Sequence, residues 1–315
     1  MDRRMKFSII IPVYNVEKYL RECLDSAINQ TFLGDYEVVC INDGSTDSSL
    51  EILYEYAEKS SKIKVFSQAN SGLAHARNEG LKMSKGEYVI FLDSDDYISK
   101  DMLQVLSKRI TNEDFIVFRG QRFVDGSAKM EEPDAIEPVE NISGWQYYNK
   151  YALQKLNFAF VCVVIRCYRR AFLMENNVFF KKGYYHEDNH FVPRVCYFAK
   201  RVKVISDIFY YYRLRENSIM TTRSLRHFKD FVVLTNDLAE FFVSKKDIDK
   251  TVVYRSLTHH YQVILSLKNR EYSRVLLPLL RWDLYRVVSR TKIRHRINYV
   301  AARISPKLYR FVNKI

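Results

Sequence analysis

Four short apolar runs separated by helical stretches fill the first 92 residues, and this alternation restricts the fold more than any other feature of the sequence. The runs are residues 6–12, 37–41 (EVVCI), 64–67 and 88–92 (YVIFL). Runs that are apolar on both faces are typical of strands in a parallel sheet covered by helices. The chain is therefore expected to build its first half around such a sheet.

Helical patterns lie between these runs. The candidates are residues 17–30, Leu73–Met83 and 101–110. Ser48 with Glu51 predicts a capping box that opens a helix over residues 50–59.

Strands and helices in this order predict an α/β fold with an open, doubly wound, mostly parallel sheet and right-handed crossovers. Such sheets bind ligands at the carboxyl ends of their strands. Pro12, Asp43 and residues 93–96 are expected at three of these ends.

The second half is less regular. Residues 125–144 include an acidic stretch with two prolines, which predicts an exposed insertion loop. The segments that follow are an apolar run over 158–165, a helix over 187–199, strand-like runs over 202–205 and 208–212, and helices from about 225 to the end.

Charge is distributed unevenly along the chain. Residues 1–150 hold 18 Lys and Arg against 25 Asp and Glu, whereas residues 151–315 hold 32 against 12 and the last 65 residues hold 14 against 2. An acidic first half and a basic second half suggest that one handles a cation and the other an anionic surface or substrate.

Cysteine usage and hydropathy bear on location. The five cysteines are an odd number without a C-x-x-C pair, which indicates a reducing compartment. The apolar run near the N-terminus is too short for a signal peptide, and no window reaches the roughly 18 apolar residues of a membrane span. A protein that is neither secreted nor integral to a membrane is expected.

Residues 93–96 (DSDD) crowd carboxylates at the end of an apolar strand. Oxygen ligands of this kind favour Mg²⁺ or Mn²⁺ shared with substrate phosphates. A helix cap with solvated acids is the alternative that the residues alone leave open.

Three weaker constellations have equally ordinary explanations. Asp43, in NDGSTD, could accept hydrogen bonds from a nucleobase or could cap a helix, and the Tyr14 ring could stack on a base or pack against its neighbours. Glu187 and Asp188 could include a general base, or they could be acids favoured by a helix start.

Taken in order, these fragments resemble the family 2 glycosyltransferases, which have the GT-A fold. The matching pieces are SIIIPVYNVEKYLRECLDSAINQTF, YEVVCINDGSTDSS, NSGLAHARNEGLKMSKGEYVIFLDSDD and YYHEDNHFVPRV, over roughly residues 6–200. The resemblance implies a catalytic domain over residues 1–222, with a nucleotide-sugar half to about 125 and an acceptor half from about 145. Residues 223–315 would form a basic helical region.

Roles for individual residues follow from the resemblance. Pro12 and Tyr14 look like the rim of a pyrimidine pocket and Asp43 like the base-binding acid. The positions that line or reach the nucleotide would be Ser71, Gly72 and Arg77.

The resemblance also implies a metal site and a base. Asp93, Ser94 and Asp95 match the D-x-D motif, with Asp95 the favoured ligand of Mn²⁺ or Mg²⁺ and Asp93 beside it. Asp188 matches the catalytic base, with Glu187 next to it. Residues 213–219 are similar to a loop that closes over the donor, where Arg215 is preferred to Arg213 as the cation facing the diphosphate.

The implied enzyme is an inverting hexosyltransferase that uses a nucleotide-sugar, with a UDP-sugar preferred. Its acceptor would be a growing polysaccharide or lipid-linked oligosaccharide of a capsule or O-antigen. The basic tail, with an apolar stripe of Leu277, Leu280, Leu284 and Val287 and with Trp282 and Tyr285 at the interface, predicts a peripheral protein on an anionic membrane, at the inner face of the cytoplasmic membrane. A tail that packs on the catalytic domain with its arginines in solvent is the alternative.

Two other functions compete with this interpretation. A nucleic-acid-binding protein could use the basic tail, but the tail holds no recognisable recognition module, and no nucleic-acid partner is expected. A sugar-phosphate nucleotidyltransferase usually has a glycine-rich N-terminal loop, and PVYNVEKY contains no glycine.

Overall fold

The computed structural model describes residues 5–127, 129–133, 135–152, 162–215 and 224–313. These residues form two compact units. The first takes its residues from positions 5–148, 162–183 and 191–215, and the second from 149–152, 184–190 and 224–313. Of the apolar segment predicted over residues 158–165, positions 158–161 lie outside the described residues.

A sheet of nine strands, counted over the described residues, forms the centre of the first unit. The strands are β1 (Phe7–Val13), β2 (Tyr36–Asn42), β3 (Ile63–Ser67), β4 (Tyr88–Phe91), β5 (Tyr97–Ile98), β6 (Phe115–Val124), β7 (Val139–Ile142), β8 (Arg166–Arg169) and β9 (Val202–Leu214). Their order is β3-β2-β1-β4-β8-β6-β9-β5, and β7 also pairs with β9. Most of the paired residues lie in the parallel pairs that join β1, β2, β3 and β4 and that join β6 to β9. The predicted mostly parallel sheet is confirmed.

Burial explains why the apolar runs became the central strands. Every residue of β1, β2 and β4 is buried, as expected for strands covered on both faces. Val13 of β1 lies opposite Asn42 of β2, and Ile10 lies opposite Phe91 of β4. The carboxyl ends of these three strands are therefore neighbours.

Helices of the first half begin and end within about two residues of their predicted bounds. The helices as far as position 198 are α1 (Glu17–Ile28), α2 (Ser49–Lys59), α3 (Leu73–Met83), α4 (Met102–Arg109), α5 (Gly144–Tyr151), α6 (Arg170–Glu175) and α7 (Glu187–Phe198). A short 3₁₀ turn, Val163–Ile165, precedes β8.

The predicted capping box at Ser48 is wrong. The Ser48 side chain makes no capping hydrogen bond. Instead the Ser49 N–H donates to Asp47 Oδ1 at 3.0 Å, and the Ser48 N–H donates to Glu17 Oε2 at 2.8 Å. Glu17 of α1 thus satisfies the Ser48 amide that the Glu51 side chain would have capped, and Asp47 satisfies the next amide along the chain.

Two predictions for the second half of the sheet also need correction. The insertion loop of residues 125–144 contains β7, which pairs antiparallel with β9, so the loop adds a strand to the sheet. The two strand-like runs after α7 are one strand, β9, whose pairing with β6 shifts register near Arg119. An irregularity of this kind bends a strand without ending it.

Helices make up the second unit after residue 224, which confirms the predicted helical C-terminal region. They are α8 (Leu225–Ser244), α9 (Thr251–Leu265), α10 (Arg270–Leu276), α11 (Trp282–Val288), α12 (Ile293–Ile304) and α13 (Pro306–Asn313), with 3₁₀ turns at Leu277–Leu279 and Ser289–Thr291. No helix among the described residues is both long and apolar enough to cross a membrane.

The predicted apolar stripe of Leu277, Leu280, Leu284 and Val287 does not form on one helix. A 3₁₀ turn containing Pro278 separates α10 from α11. Leu280 and Leu284 are buried, and so is Tyr285, which the prediction left at an interface. These side chains are part of the core of the second unit.

Candidate functional site

The first side of the candidate site is the shared edge of β1, β2 and β4. The Asp43 N–H donates to Val13 O at 2.8 Å, and the Leu92 N–H donates to Ile10 O at 2.9 Å. Pro12 is buried within β1, whereas Tyr14, just past the strand, is 50% exposed. An exposed aromatic ring at a strand end provides a face on which a base could stack.

Asp43 ties the end of β2 to the turn before α3. Its buried carboxylate accepts hydrogen bonds from the Ser71 N–H at 2.9 Å and from the Gly72 N–H at 2.8 Å. Gln68 Nε2 donates to the same group at 2.7 Å. Asp43 therefore shapes the backbone around residues 71–72, whether or not it also accepts from a ligand.

Two glycines allow these segments to approach each other. Gly44 has φ of +73°, and a Cβ at that position would lie 2.8 Å from Asn70 N. Gly72 has φ of +87° at the N-cap of α3. Glycine adopts such left-handed backbone conformations without the steric cost that other residues incur.

Arg77 and Asp93 form an ion pair at the end of β4. One Arg77 guanidinium nitrogen donates to Asp93 Oδ1 at 2.7 Å, although the Arg77 side chain is only 2% exposed. The guanidinium also lies 5.4 Å from the centre of the Phe180 ring. Asn78 holds the backbone of Phe180 with two hydrogen bonds of 2.9 Å.

Asp95 pairs with Arg215. The Arg215 Nε–H donates to Asp95 Oδ2 at 2.8 Å, and both side chains are about one quarter exposed. Burial and the nearby charge of Asp93 raise the pKa of Asp95, while Arg215 partly opposes this rise. The environment of Asp95 therefore disfavours its charged form, although Arg215 is bonded to it.

The third acid, Asp96, is buried and held by β9. Its carboxylate accepts hydrogen bonds from the Tyr210 hydroxyl at 2.5 Å and from the Arg213 N–H at 2.7 Å. The Tyr210 oxygen in turn accepts a bond from the Asp93 N–H at 3.3 Å. Burial, together with Asp95 and Asp93, raises the pKa of Asp96 well above its ordinary value. Asp96 thus fixes the shape of the loop that contains Ser94, which is also largely buried.

Arg213 has a structural position that the sequence did not indicate. Its Nε–H donates to the carbonyl of Asp95 at 2.8 Å, another guanidinium nitrogen donates to Asp125 Oδ1 at 2.8 Å, and a third bonds to Glu22. The guanidinium also lies over the rings of Tyr19 and Phe123. Arg213, which the sequence made the second choice after Arg215, therefore holds the backbone of the loop that contains Asp95.

Glu187 and Asp188 begin α7 and belong to the second unit. Glu187 is 8% exposed and Asp188 is half-buried. His186 before them has φ of +65°, and the Asn189 N–H donates to its carbonyl.

Residues of α8 surround this helix start within the second unit. The Tyr185 N–H donates to Asp230 Oδ2 at 3.0 Å, and the Tyr185 ring stacks on His227 with centroids 4.0 Å apart. The His186 ring contacts Phe231 edge to face. Burial, and next His227, lower the pKa of His186, so its imidazole is neutral at neutral pH.

The structure brings the predicted residues of the first unit into two groups. One joins Asp43 to Ser71 and Gly72, and the other contains Arg77, Asp93, Asp95 and Arg215. Residues 216–219 of the predicted closing loop lie outside the described residues. Within the described parts of the chain, no three His, Cys, Asp or Glu side chains are grouped to hold a metal ion.

Comparison with known proteins gives one family. The family model described as "Glycosyl transferase family 2" matches residues 8–176. The chain is 35% identical over 226 residues to "Glycosyltransferase GlyA" of Streptococcus pneumoniae, covering 68% of this chain and 31% of that protein. It is 35% identical over 219 residues to "Uncharacterized glycosyltransferase EpsJ" of Bacillus subtilis, covering 67% of this chain and 62% of that protein. The chain thus spans less than two thirds of either relative.

A solved structure resembles almost the whole chain. The crystal structure of residues 1–349 of TarS from Staphylococcus aureus, in complex with UDP-GlcNAc, has a TM-score of 0.82 and 26% identity. The match covers 98% of this chain and 91% of that one. The likeness includes the helical second unit as well as the sheet.

Proposed function

Because this chain belongs to glycosyl transferase family 2, we propose that it moves a hexose from a nucleotide-sugar to a hydroxyl of a growing polysaccharide or lipid-linked oligosaccharide. The observation that supports this most is the pair of carboxylates, Asp93 and Asp95, at a strand end beside Arg77 and Arg215. Two carboxylates and two cations at one point suit a ligand that combines a divalent cation with an anionic diphosphate. Family membership favours this function over a nucleotidyltransferase or a nucleic-acid-binding protein.

A UDP-sugar is the proposed donor. The TarS structure that resembles this chain was solved with UDP-GlcNAc, and another with UDP. In this chain the uracil would lie between the exposed Tyr14 ring and the turn held by Asp43. Asp43 Oδ1 already accepts from Gln68 and Ser71, whereas Oδ2 accepts from the Gly72 N–H and has a second lone pair that can still accept from a base N–H.

Asp95 and Asp93 would hold Mn²⁺ or Mg²⁺. Their oxygens are the hard ligands that these ions prefer, and burial and the charge of Asp93, which raise the pKa of Asp95, oppose an ionised carboxylate that a bound cation would stabilise. The residues therefore fit the ion, which when bound would neutralise the developing charge of the diphosphate.

The two arginines would assist at the same place. Arg77 is fixed by burial and by its bond to Asp93, so it presents a positioned positive charge beside the metal ligands. Arg215 is more exposed, and its contact is with Asp95. Arg215 can exchange Asp95 for a phosphate oxygen, because a guanidinium binds both groups in the same way.

Asp188 is the proposed base, with Glu187 as its alternative. The base takes the proton of the acceptor hydroxyl while the hydroxyl oxygen forms a bond to the anomeric carbon. The bond from that carbon to the phosphate oxygen breaks at the same time, and its electron pair leaves with the diphosphate. A single displacement inverts the anomeric carbon, so an α-linked donor gives a β-glycoside.

We assign catalysis to residues 1–222 and place the enzyme in the cytoplasm at the inner face of the cytoplasmic membrane. The acceptor would be a lipid-linked or polymeric saccharide of the capsule or O-antigen class. The basic residues 223–315 would then lie toward the anionic surface from which such acceptors are presented.

Slow donor hydrolysis tests this function without an acceptor. The purified chain is incubated with UDP-glucose, UDP-galactose, UDP-GlcNAc, GDP-mannose and a dTDP-hexose, each with Mn²⁺, Mg²⁺ or a chelator, and release of nucleoside diphosphate is measured. We expect metal-dependent release from a UDP-sugar that is lost in Asp95→Asn and kept in Asp101→Asn, an exposed acid at the start of α4. Release from none of the donors under any condition would reject the proposal.

A further inference from the structure

Helix α12 turns its larger apolar side chains away from the protein. The residues it buries are small or polar, namely Asn298, Ala301 and Ala302. The exposed side chains are Ile293 at 76%, Ile297 at 50%, Val300 at 53% and Ile304 at 68%. An ordinary surface helix has the opposite arrangement, because its apolar side faces the core.

These four residues form a single strip, here called the Ile293 face. They are spaced by four, three and four positions, which places them on one side of a helix. α13 packs against α12 and adds Phe311, which is 81% exposed. A continuous apolar strip on an otherwise charged helix marks a binding surface more often than chance exposure does.

The charge around the Ile293 face is of one sign. Residues 284–313 contain eight Lys and Arg and no Asp or Glu. Within the described part of the chain, none of the eight forms an ion pair with a carboxylate, whereas Arg281 just before them pairs with Asp283. Burial lowers the pKa of His295, and the nearby cations Lys292, Arg255 and Arg294 lower it further, as cations close to an imidazole do.

A cavity of about 430 Å³ adjoins this face, and it is here called the arginine pocket. Its lining residues are Arg286, Ser289, Arg290, Arg296, Tyr299 and Val300. Three arginines and two residues with hydroxyl groups in a concave site suit the oxygens of a phosphate group. Val300 belongs to both the pocket and the Ile293 face, so a phosphate and an apolar layer would be met side by side.

We propose that the Ile293 face and the arginine pocket form a docking surface for an anionic phospholipid bilayer. The apolar strip enters the boundary between headgroups and acyl chains, and the pocket takes one lipid phosphate. A second copy of this chain would bring eight more unpaired cations against the first eight, so charge disfavours it as the occupant. A nucleic acid would satisfy the cations and leave the isoleucines exposed to water.

This docking surface rests on the proposed membrane location and specifies which residues make the contact. It differs from the apolar stripe predicted from the sequence. It is tested without a sugar donor, so its failure and that of glycosyl transfer can be told apart. The full chain is sedimented with vesicles of phosphatidylcholine alone or with 30% phosphatidylglycerol, at low and high salt. Donor hydrolysis in the absence of vesicles is measured on the same preparations.

Three variants are compared with the parent. Ile293→Ser with Ile297→Ser removes half of the strip, and Arg286→Gln with Arg290→Gln removes two pocket cations. The matched control replaces exposed cations elsewhere in the second unit, Lys246→Gln with Arg274→Gln. All changed side chains are exposed, so the melting temperature should stay near that of the parent.

We expect the parent to bind anionic vesicles and not neutral ones. The pocket variant should lose at least tenfold in partition coefficient, since each basic residue near such a surface contributes roughly fivefold. The strip variant should also lose at least tenfold, because it removes two of the four apolar side chains that enter the bilayer boundary. The control should lose less than either. Equal binding to both vesicle types, or unchanged binding by the strip variant, would overturn the proposal. A concentration-dependent dimer that the strip variant abolishes would assign the face to a second copy and overturn it too.

Discussion

Asp93 and Asp95 are two positions apart, yet their environments assign them different tasks. Asp93 is bonded to Arg77, whose side chain is buried and fixed by Phe180. Asp95 is bonded to the more exposed Arg215, and its pKa is raised. Asp95 is therefore the carboxylate that can exchange partners, and Asp93 is the one whose position is set in advance.

Replacing Asp95 with Asn should weaken Mn²⁺-dependent binding of a UDP-sugar by tenfold or more and leave the fold intact. The side chain is partly exposed and contributes a ligand, not core packing. Calorimetry with and without Mn²⁺ gives the affinity, and a melting curve gives the stability. Asp101→Asn serves as the matched control. An Asp95→Asn variant with the parent's affinity would show that another acid holds the metal.

The raised pKa of Asp95 gives that binding a pH dependence. A carboxyl with a raised pKa keeps its proton to a higher pH than an ordinary Asp does, and only the ionised form attracts a cation. As the pH is lowered, metal-dependent affinity should therefore begin to fall at a higher pH than it would if Asp95 had the pKa of an ordinary Asp. A UDP-sugar is the suitable probe because both of its phosphates are diesters, and Asp95→Asn should remove most of this dependence.

Asp188→Asn separates a catalytic base from an acid that merely begins a helix. Asn preserves the shape, so a structural role predicts unchanged turnover, whereas loss of a base predicts a transfer rate lower by about 10²–10⁴-fold. Donor affinity and melting temperature should barely change in either case. Transfer to a true acceptor is the measurement, with Glu187→Gln assayed in parallel. If Asp188→Asn stays within a few-fold of the parent while Glu187→Gln fails, the base is Glu187.

At the scale of the elements, the site depends on how the segments after β2 and before α3 approach each other. Gly44→Ala should destabilise the protein by about 1–3 kcal/mol and weaken UDP binding, because φ is positive and the new Cβ meets Asn70 N. Gly126 is the matched control, since it has φ of +70° and no described atom lies within 4 Å of its added Cβ. Equal melting temperatures for the two alanine variants would show that the contact with Asn70 is unimportant.

The end of β9 supplies two arginines with separable roles. Arg213→Gln should lower the free energy of unfolding by about 2–4 kcal/mol, because it removes a largely buried cation together with its bonds to Asp125 Oδ1 and to the Asp95 carbonyl. Arg215→Gln breaks a pair whose two side chains are each about one quarter exposed, so it should leave stability within about 0.5 kcal/mol and reduce donor turnover. Denaturant melts and donor hydrolysis distinguish them. The opposite pattern would exchange the two roles.

These elements also show what the sequence could and could not predict. β1, β2 and β4 were predicted within two residues because a strand covered on both faces must be apolar throughout. β7 was missed because two prolines and several acids precede it, and its strand state comes from pairing with β9. The burial of Arg213 depends on Glu22 and Asp125, which are 191 and 88 positions away in the chain, so no local pattern could indicate it.

At the scale of the whole molecule, the C-terminal residues are part of the folded structure and not a detachable arm. Deleting residues 272–315 should give insoluble protein, because Leu276, Leu284, Tyr285 and Val288 are buried against neighbours in the second unit. A milder comparison is Leu284→Ala, which should cost about 2–4 kcal/mol. Soluble yield and melting temperature are the readouts. A soluble deletion variant that unfolds cooperatively would show that the first unit folds without this region.

Tyr210, Arg213 and Arg215 lie within six consecutive residues, and each touches the loop of Asp93, Asp95 and Asp96 at a different point. Neighbouring residues of a strand point to opposite faces, so the length of this stretch fixes which of its groups reach the loop. Inserting or deleting one residue here would turn the arginines to the wrong side of the sheet, although the arginines themselves would be unchanged. Relatives that use the same site should therefore differ in length before and after this stretch and agree within it.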